Sequence, residues 1–188
     1  QCWVCGFKGA RAIQLLKFIK APYTAFQELK EIDAQYNFKT AHVEKPKDQL
    51  QLPEGFTTLL KGKGLIRDKA YHYLKSRGIT AQDVVKYNIG YIEEGKLANF
   101  IIIPSYDRHG TLNYWVGRSF DPQAYHKHKL PPTSKDIIGF DMLCNFNIPI
   151  IICEGAFDAI AIKRNAVPLF GKRISKSLYK ELVRGRVK

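Results

Sequence analysis

The sequence predicts an α+β fold on three observations. Its longest apolar runs, Phe100-Ile101-Ile102-Ile103 and Ile148 to Cys153, have strand length rather than helix length. The turn Asp107-Arg108-His109-Gly110 falls between two strand-like segments, 99–103 and 112–117, and joins them as a hairpin. From 149 onward the pattern changes to strand, helix, strand and helix, the opening of an α/β sheet.

The elements follow from local chemistry. Residues 10–19 are amphipathic, with Ile13, Leu15, Leu16 and Phe18 apolar and Arg11, Lys17 and Lys20 charged. A second helix is predicted over 24–36, with Phe26, Leu29 and Ile32 on one face. Between 38 and 53 the periodicity fades, and Pro46 and Pro53 break any helix, so 21–64 reads as helix and linker. The main domain is predicted to begin near Leu65, with a short helix over 68–75 stopped by Ser76-Arg77-Gly78. Thr80-Ala81-Gln82-Asp83 has capping-box spacing and opens a helix at 83–87. After the hairpin, 121–135 reads as a polar loop carrying Lys127, Lys129 and Lys135 with His126 and His128. The final unit is a strand at 149–153, a helix at 156–164, a strand at 166–170 and a helix at 175–183. Neither an internal repeat nor a low-complexity tract is visible.

Charge points to the kind of partner. Thirty Lys and Arg oppose 17 Asp and Glu, a formal +13 in 188 residues. The cations are spread along the chain, which favours a folded basic surface over a basic tail. Such a surface suits a polyanion, because cationic side chains displace the counterions condensed on phosphates. No run of eighteen apolar residues is present, and the start does not read as a signal peptide. Four cysteines do not make a secreted disulfide framework, so a reducing cytoplasm is the expected location. Cys2-Trp3-Val4-Cys5-Gly6 has the Cys-x-x-Cys spacing with which two thiolates reach one tetrahedral ion. Cys153 ends an apolar strand and reads as core. His126 and His128 are spaced like metal ligands, but such pairs in basic loops are more often unliganded.

The segment Ile150-Ile151-Ile152-Cys153-Glu154-Gly155-Ala156-Phe157-Asp158 resembles the opening of the TOPRIM fold. There an apolar strand leads to Glu-Gly and then to a helix bearing an acid. Tyr73-Leu74-Lys75-Ser76-Arg77-Gly78-Ile79 and Tyr87-Asn88-Ile89-Gly90-Tyr91 are similar to the helical lead-in of bacterial and phage primase catalytic domains. The hairpin ending in Gly117-Arg118 and the loop from Lys127 to Pro132 are similar to later parts of the same domains, and Asn165 to Lys172 is similar to the second TOPRIM strand and its Gly-Lys turn in tailed-phage primases. The resemblance covers about 65–188 plus the front knuckle. It implies half a zinc ribbon (1–20), a helix and linker (21–64), the N-terminal basic subdomain of a primase core (65–147) and the first part of a TOPRIM domain (148–188).

Two features of the family pattern are missing: the other zinc knuckle and the Asp-x-Asp strand for magnesium. With Gln1 in first place and Lys188 about where that strand would begin, the chain reads as a piece cut at both ends, expected to be inactive alone. The function implied is synthesis of short RNA primers on single-stranded DNA from ribonucleoside triphosphates, beside a replicative helicase in a primosome. In a phage-encoded protein this would occur in the host bacterial cytoplasm.

The candidate site residues each have a physical rationale. Glu154 falls at the carboxyl end of a strand, where ligands bind in α/β sheets, and is the candidate catalytic base or magnesium (or manganese) ligand. Asp158 lies one helical turn on and can face the same side. Arg118 offers a planar fork for a template phosphate or a triphosphate. Lys127, Lys129 and Lys172 are loop cations suited to phosphate. Cys2 and Cys5 are candidate zinc ligands in the parent protein. Other TOPRIM enzymes, nuclease or topoisomerase-like, remain open, as does a TOPRIM module that only binds nucleic acid.

Overall fold

The structure, a computed structural model, describes residues 12–35 and 49–185. The chain divides into two units, Gln1–Asp48 and Gln49–Lys188. The first contributes two described helices, α1 (Ala12–Phe18) and α2 (Tyr23–Gln35), which contact each other. The proposed zinc knuckle lies outside the described residues.

The second unit is built on a five-stranded antiparallel sheet of β1 (Phe56–Thr58), β2 (Gly90–Ile92), β3 (Phe100–Tyr106), β4 (Leu112–Ser119) and β5 (His128–Lys129), paired in that order. Beside it stands a two-stranded parallel sheet of β6 (Ile151–Cys153) and β7 (Ala166–Pro168), connected by helix α5 (Ala156–Ile162). Helices α3 (Leu65–Ser76) and α4 (Ala81–Lys86) precede β2, and α6 (Lys176–Gly185) ends the described chain.

Strand periodicity explains the apolar run at the centre. Ile101 and Ile103 face one core with Tyr91, Tyr114 and Leu74, whereas Phe100 and Ile102 face a second core with Ile92 and Trp115. With both faces covered, β3 has no need of polar alternation. The hairpin turn is held by the Asp107 carboxylate, which accepts the amides of His109 and Thr111, each at 2.9 Å. The first core also contains Ala156, Ala159 and Ile160 of α5 and Phe170 beyond β7, so residues on both sides of the predicted 147/148 boundary share one core.

Three sequence-based expectations need correction. Residues 49–64 are not linker: β1 pairs with β2, Leu59 is buried, and Leu50, Leu52 and Phe56 pack against the second core. β2 was not predicted as a strand. The 121–135 segment is not all loop, because His128 and Lys129 pair with Arg118 and Gly117.

The capping box at Thr80 is present and serves more than α4. The Thr80 hydroxyl accepts the Asp83 amide at 3.3 Å, and Asp83 accepts the Thr80 amide at 2.7 Å. The Asp83 carboxylate also pairs with Lys163, the residue that ends α5. Burial pushes the Asp83 carboxyl up, but the Lys163 ammonium and the Thr80 donors outweigh it and hold it below its ordinary value. A depressed carboxyl contributes stability above its unfolded value, about 3.9, that is lost as pH falls through the folded value. Asp83→Asn should therefore cost about 1 kcal/mol at neutral pH, the usual scale for a lost cap, with the deficit closing in acid. Urea unfolding of both proteins across pH 2–7 checks this; a deficit unchanged at pH 2 would remove the ionic contribution.

Candidate nucleic-acid and nucleotide site

The site begins with the helical stripe of α3. Ala70 and Leu74 are buried, Ile66 and Tyr73 pack beside them, and Arg77 follows Tyr73 by four residues. That spacing stacks the two side chains on one face. The Arg77 guanidinium lies 5.2 Å from the Tyr73 ring centroid and 5.4 Å from that of Phe157 on α5. Both aromatic faces favour the cation and restrict its motion.

Arg118 reaches the same place from β4. Tyr114 and Val116 of that strand join the first core, and Arg118 continues their face two residues on. Its Nε donates to the Tyr73 hydroxyl at 3.2 Å, and its Nη1 contacts Nε2 of His128, its cross-strand partner. Partial burial and the adjacent Arg118 and Arg77 charges hold the His128 imidazole below its ordinary value, favouring the neutral ring.

The carboxylates come from the parallel unit. Glu154 follows β6 directly, is exposed, and makes no hydrogen bond or ion pair with other described residues. Asp158, one turn into α5, accepts the Gly155 amide through Oδ2 at 3.1 Å, which fixes the start of the helix and leaves Oδ1 available. Glu154, Asp158, Arg77, Arg118 and His128 line one cavity of about 420 Å³. Two cations and two carboxylates thus meet at the carboxyl end of a parallel strand, the place where α/β sheets accept ligands.

Of the predicted residues, the structure brings Arg118, Glu154 and Asp158 together. Arg77 was missed, although a cation four residues after an aromatic at a helix end was legible. In the sequence His128 stands out only as one of a histidine pair with metal-ligand spacing. Lys127 and Lys129 do not join this cavity. Strand alternation places Lys129 opposite His128, and it packs near Gly117 on the face of Phe100. Lys172 lines a second cleft of about 490 Å³, which meets the first at Gly171. Among the described residues, no cluster of three or more His, Cys, Asp or Glu converges as a metal site. Burial pushes the Cys144 thiol up to about 12 and the half-buried Cys153 thiol up to about 11, so neither supplies a ready thiolate. No described helix is long and apolar enough to cross a membrane.

No family model matches the chain. It is 28% identical over 130 residues to an uncharacterized protein of Mycoplasma genitalium, covering 64% of this chain and 58% of that one. Among solved structures it resembles the DnaG primase catalytic domain bound to single-stranded DNA, with TM-score 0.57, 15% identity, and coverage of 68% of this chain and 56% of that chain. A DNA primase domain from Pseudomonas aeruginosa gives TM-score 0.56 at 20% identity, covering 69% and 55%. The zinc-binding and RNA polymerase domains of Aquifex aeolicus primase give 0.53 at 20%, covering 68% and 41%. The chain therefore has a primase-like fold, and it spans little more than half the length of the first of these relatives.

Proposed function

We propose that residues 49–185 form the nucleic-acid-binding and nucleotidyl-transfer core of a DNA primase of the tailed-phage type. At full length this protein would build short RNA primers on single-stranded DNA. The observation that carries the reading is the meeting of Arg77, Arg118, Glu154 and Asp158 on one cavity of a primase-like fold. The two guanidinium groups, steadied by Tyr73, His128 and Phe157, would grip phosphate oxygens bidentately. Lys172 would hold phosphate from the adjoining cleft.

Magnesium or manganese fits the carboxylate pair. Hydrated magnesium typically uses one or two carboxylates together with substrate phosphates, and Glu154 with the free Oδ1 of Asp158 provides such a set. Bound there, the metal would neutralise phosphate charge and help ionise the attacking 3′ hydroxyl. Glu154, an exposed residue lining the cavity, would be the one to take up a proton. A zinc site using Cys2 and Cys5, and a replicative helicase as partner, belong to the same proposal on the strength of the sequence resemblance.

Binding of a labelled single-stranded oligonucleotide, followed by anisotropy across a salt series, tests the reading. Affinity should be weak and fall log-linearly with salt, by about 0.7 per phosphate contacted. Replacing both Arg77 and Arg118 with Ala should flatten that slope by roughly 1.4. Salt-independent binding, or none at low salt, would rule the reading out.

A further inference from the structure

We propose that the second cleft is a further phosphate subsite, resting on the reading above, which takes the backbone of a single-stranded polynucleotide as it leaves the first cavity. The cleft is lined by Lys135, Lys172, Arg173 and Lys176, with Asp136 as its one carboxylate. The Asp136 carboxylate accepts the Ser177 amide at 2.9 Å, which holds it below its ordinary value and ties it to α6. Among the described residues, no ion pair involves any of the four cations. Four like charges crowded around one carboxylate repel one another, and an anion relieves that repulsion.

The local backbone holds this arrangement in place. Phe170 sits at φ 51, a left-handed conformation that a bulky side chain adopts only when its surroundings enforce it. Its ring is fixed by stacking on Tyr114 at 4.9 Å and by an edge contact with Phe140 at 5.8 Å. So positioned, the Phe170 carbonyl accepts the Lys135 ammonium at 2.7 Å and tethers that cation beside Gly171. The first turn of α6 is satisfied internally. Ser175 donates to the Ile137 carbonyl at 2.7 Å and accepts the Leu178 amide at 3.0 Å. The cleft therefore offers side-chain cations rather than a bare helix terminus.

Continuity identifies the ligand. Gly171 lines both spaces, so a chain with phosphates at regular intervals can lie in the first cavity and continue into the second. A free nucleoside triphosphate has one cluster of phosphates and no reason to occupy both. A strand spanning both spaces makes more phosphate contacts than one confined to the first, and each contact adds to affinity and to salt dependence.

Oligonucleotide length separates the two ligands. Binding of labelled dT4 and dT12 would be measured on the full chain and on the variant carrying Arg173→Ala and Lys176→Ala, both exposed positions. A variant carrying Lys61→Ala and Lys63→Ala removes the same charge elsewhere, and circular dichroism confirms folding. The Arg173/Lys176 variant should lose roughly tenfold in dT12 affinity, with dT4 changed less than twofold. The Lys61/Lys63 variant should retain dT12 binding. Equal losses for dT4 and dT12, or no loss for either, would overturn the subsite. Competition by inorganic tripolyphosphate that disappears only in the Arg173/Lys176 variant would assign the cleft to free triphosphate and overturn the strand path. Failure of the unaltered chain to bind either oligonucleotide would instead remove the nucleic-acid reading and the subsite with it.

Discussion

Glu154→Gln, introduced into the full-length protein, is expected to lower primer synthesis by about a hundredfold or more, with single-strand affinity changed less than twofold. The substitution keeps the size of the side chain and its capacity to accept a hydrogen bond. It removes the negative charge, which under the proposed function would serve a metal or a proton; Glu154 is exposed and makes no hydrogen bond or ion pair with other described residues. Removing a group that acts mainly in the transition state characteristically costs two orders of magnitude in turnover. Binding should survive because the proposed phosphate contacts, Arg77 and Arg118, are held by Tyr73, His128 and Phe157 and not by the glutamate. Primer formation from labelled ribonucleotides on a single-stranded template would be compared with anisotropy on the same preparations. Half-normal synthesis would move the catalytic role to another residue. Loss of both readouts together would make Glu154 a structural group. A template binder without activity would show no synthesis in either protein.

Much of this site was legible because its residues stand at element ends. Glu154 follows an apolar run and precedes Gly155, while Asp158 is spaced to share its side of the helix. Arg118 closes a strand whose partner is joined to it by a hairpin. The less visible residues depend on cross-strand register. Lys127, His128 and Lys129 are three polar neighbours in sequence, and nothing local tells which one turns toward the cavity. Pairing with Arg118 selects His128 and sends Lys129 to the other face. Arg77 was hidden for another reason: Ser76-Arg77-Gly78 reads as a helix stop, and its use as an aromatic-backed cation requires Phe157, eighty residues away.

The fold shows the same division between local and distant information. The hairpin, the capping box and the strand–helix–strand unit all lie close in sequence, and each carries its own turn or cap chemistry. β1 and β2 have three residues each, too few to display a period, and their pairing is tertiary. Leu50 and Leu52 did give a signal, since two apolar residues two apart in a polar segment suit a strand-like path under a sheet. The neighbouring Pro46 and Pro53 concealed it. Pro53 marks irregular backbone, and irregular backbone here still packs against the core.

Gly139→Ala is expected to damage the scaffold severely for the single methyl group it adds. A Cβ at Gly139 would fall well inside contact distance of the Pro168 carbonyl oxygen, 2.9 Å from Pro168 Cγ and 3.0 Å from a ring carbon of Phe170. Neither neighbour is free to retreat. Pro168 belongs to β7 in register with Cys153, and the amide of Leu169 donates to the Cys153 carbonyl at 2.9 Å. Phe170 is wedged between Tyr114 and Phe140. Overpacking of this kind typically costs 1–3 kcal/mol, and a clash with backbone rather than a flexible side chain places this case near 3 kcal/mol. Gly78→Ala provides the comparison. Its φ is 73 but nothing lies within 4 Å of the new Cβ, so only the left-handed backbone is penalised, at about 1 kcal/mol. Urea unfolding should therefore show a substantially larger loss for Gly139→Ala than for Gly78→Ala. Because Cys153 immediately precedes Glu154, the strain at Gly139 bears directly on the strand that presents the carboxylate. Equal losses, or a larger one at Gly78, would mean that the approach of Gly139 to β7 is not close in solution, and with it the placement of Glu154 would fall.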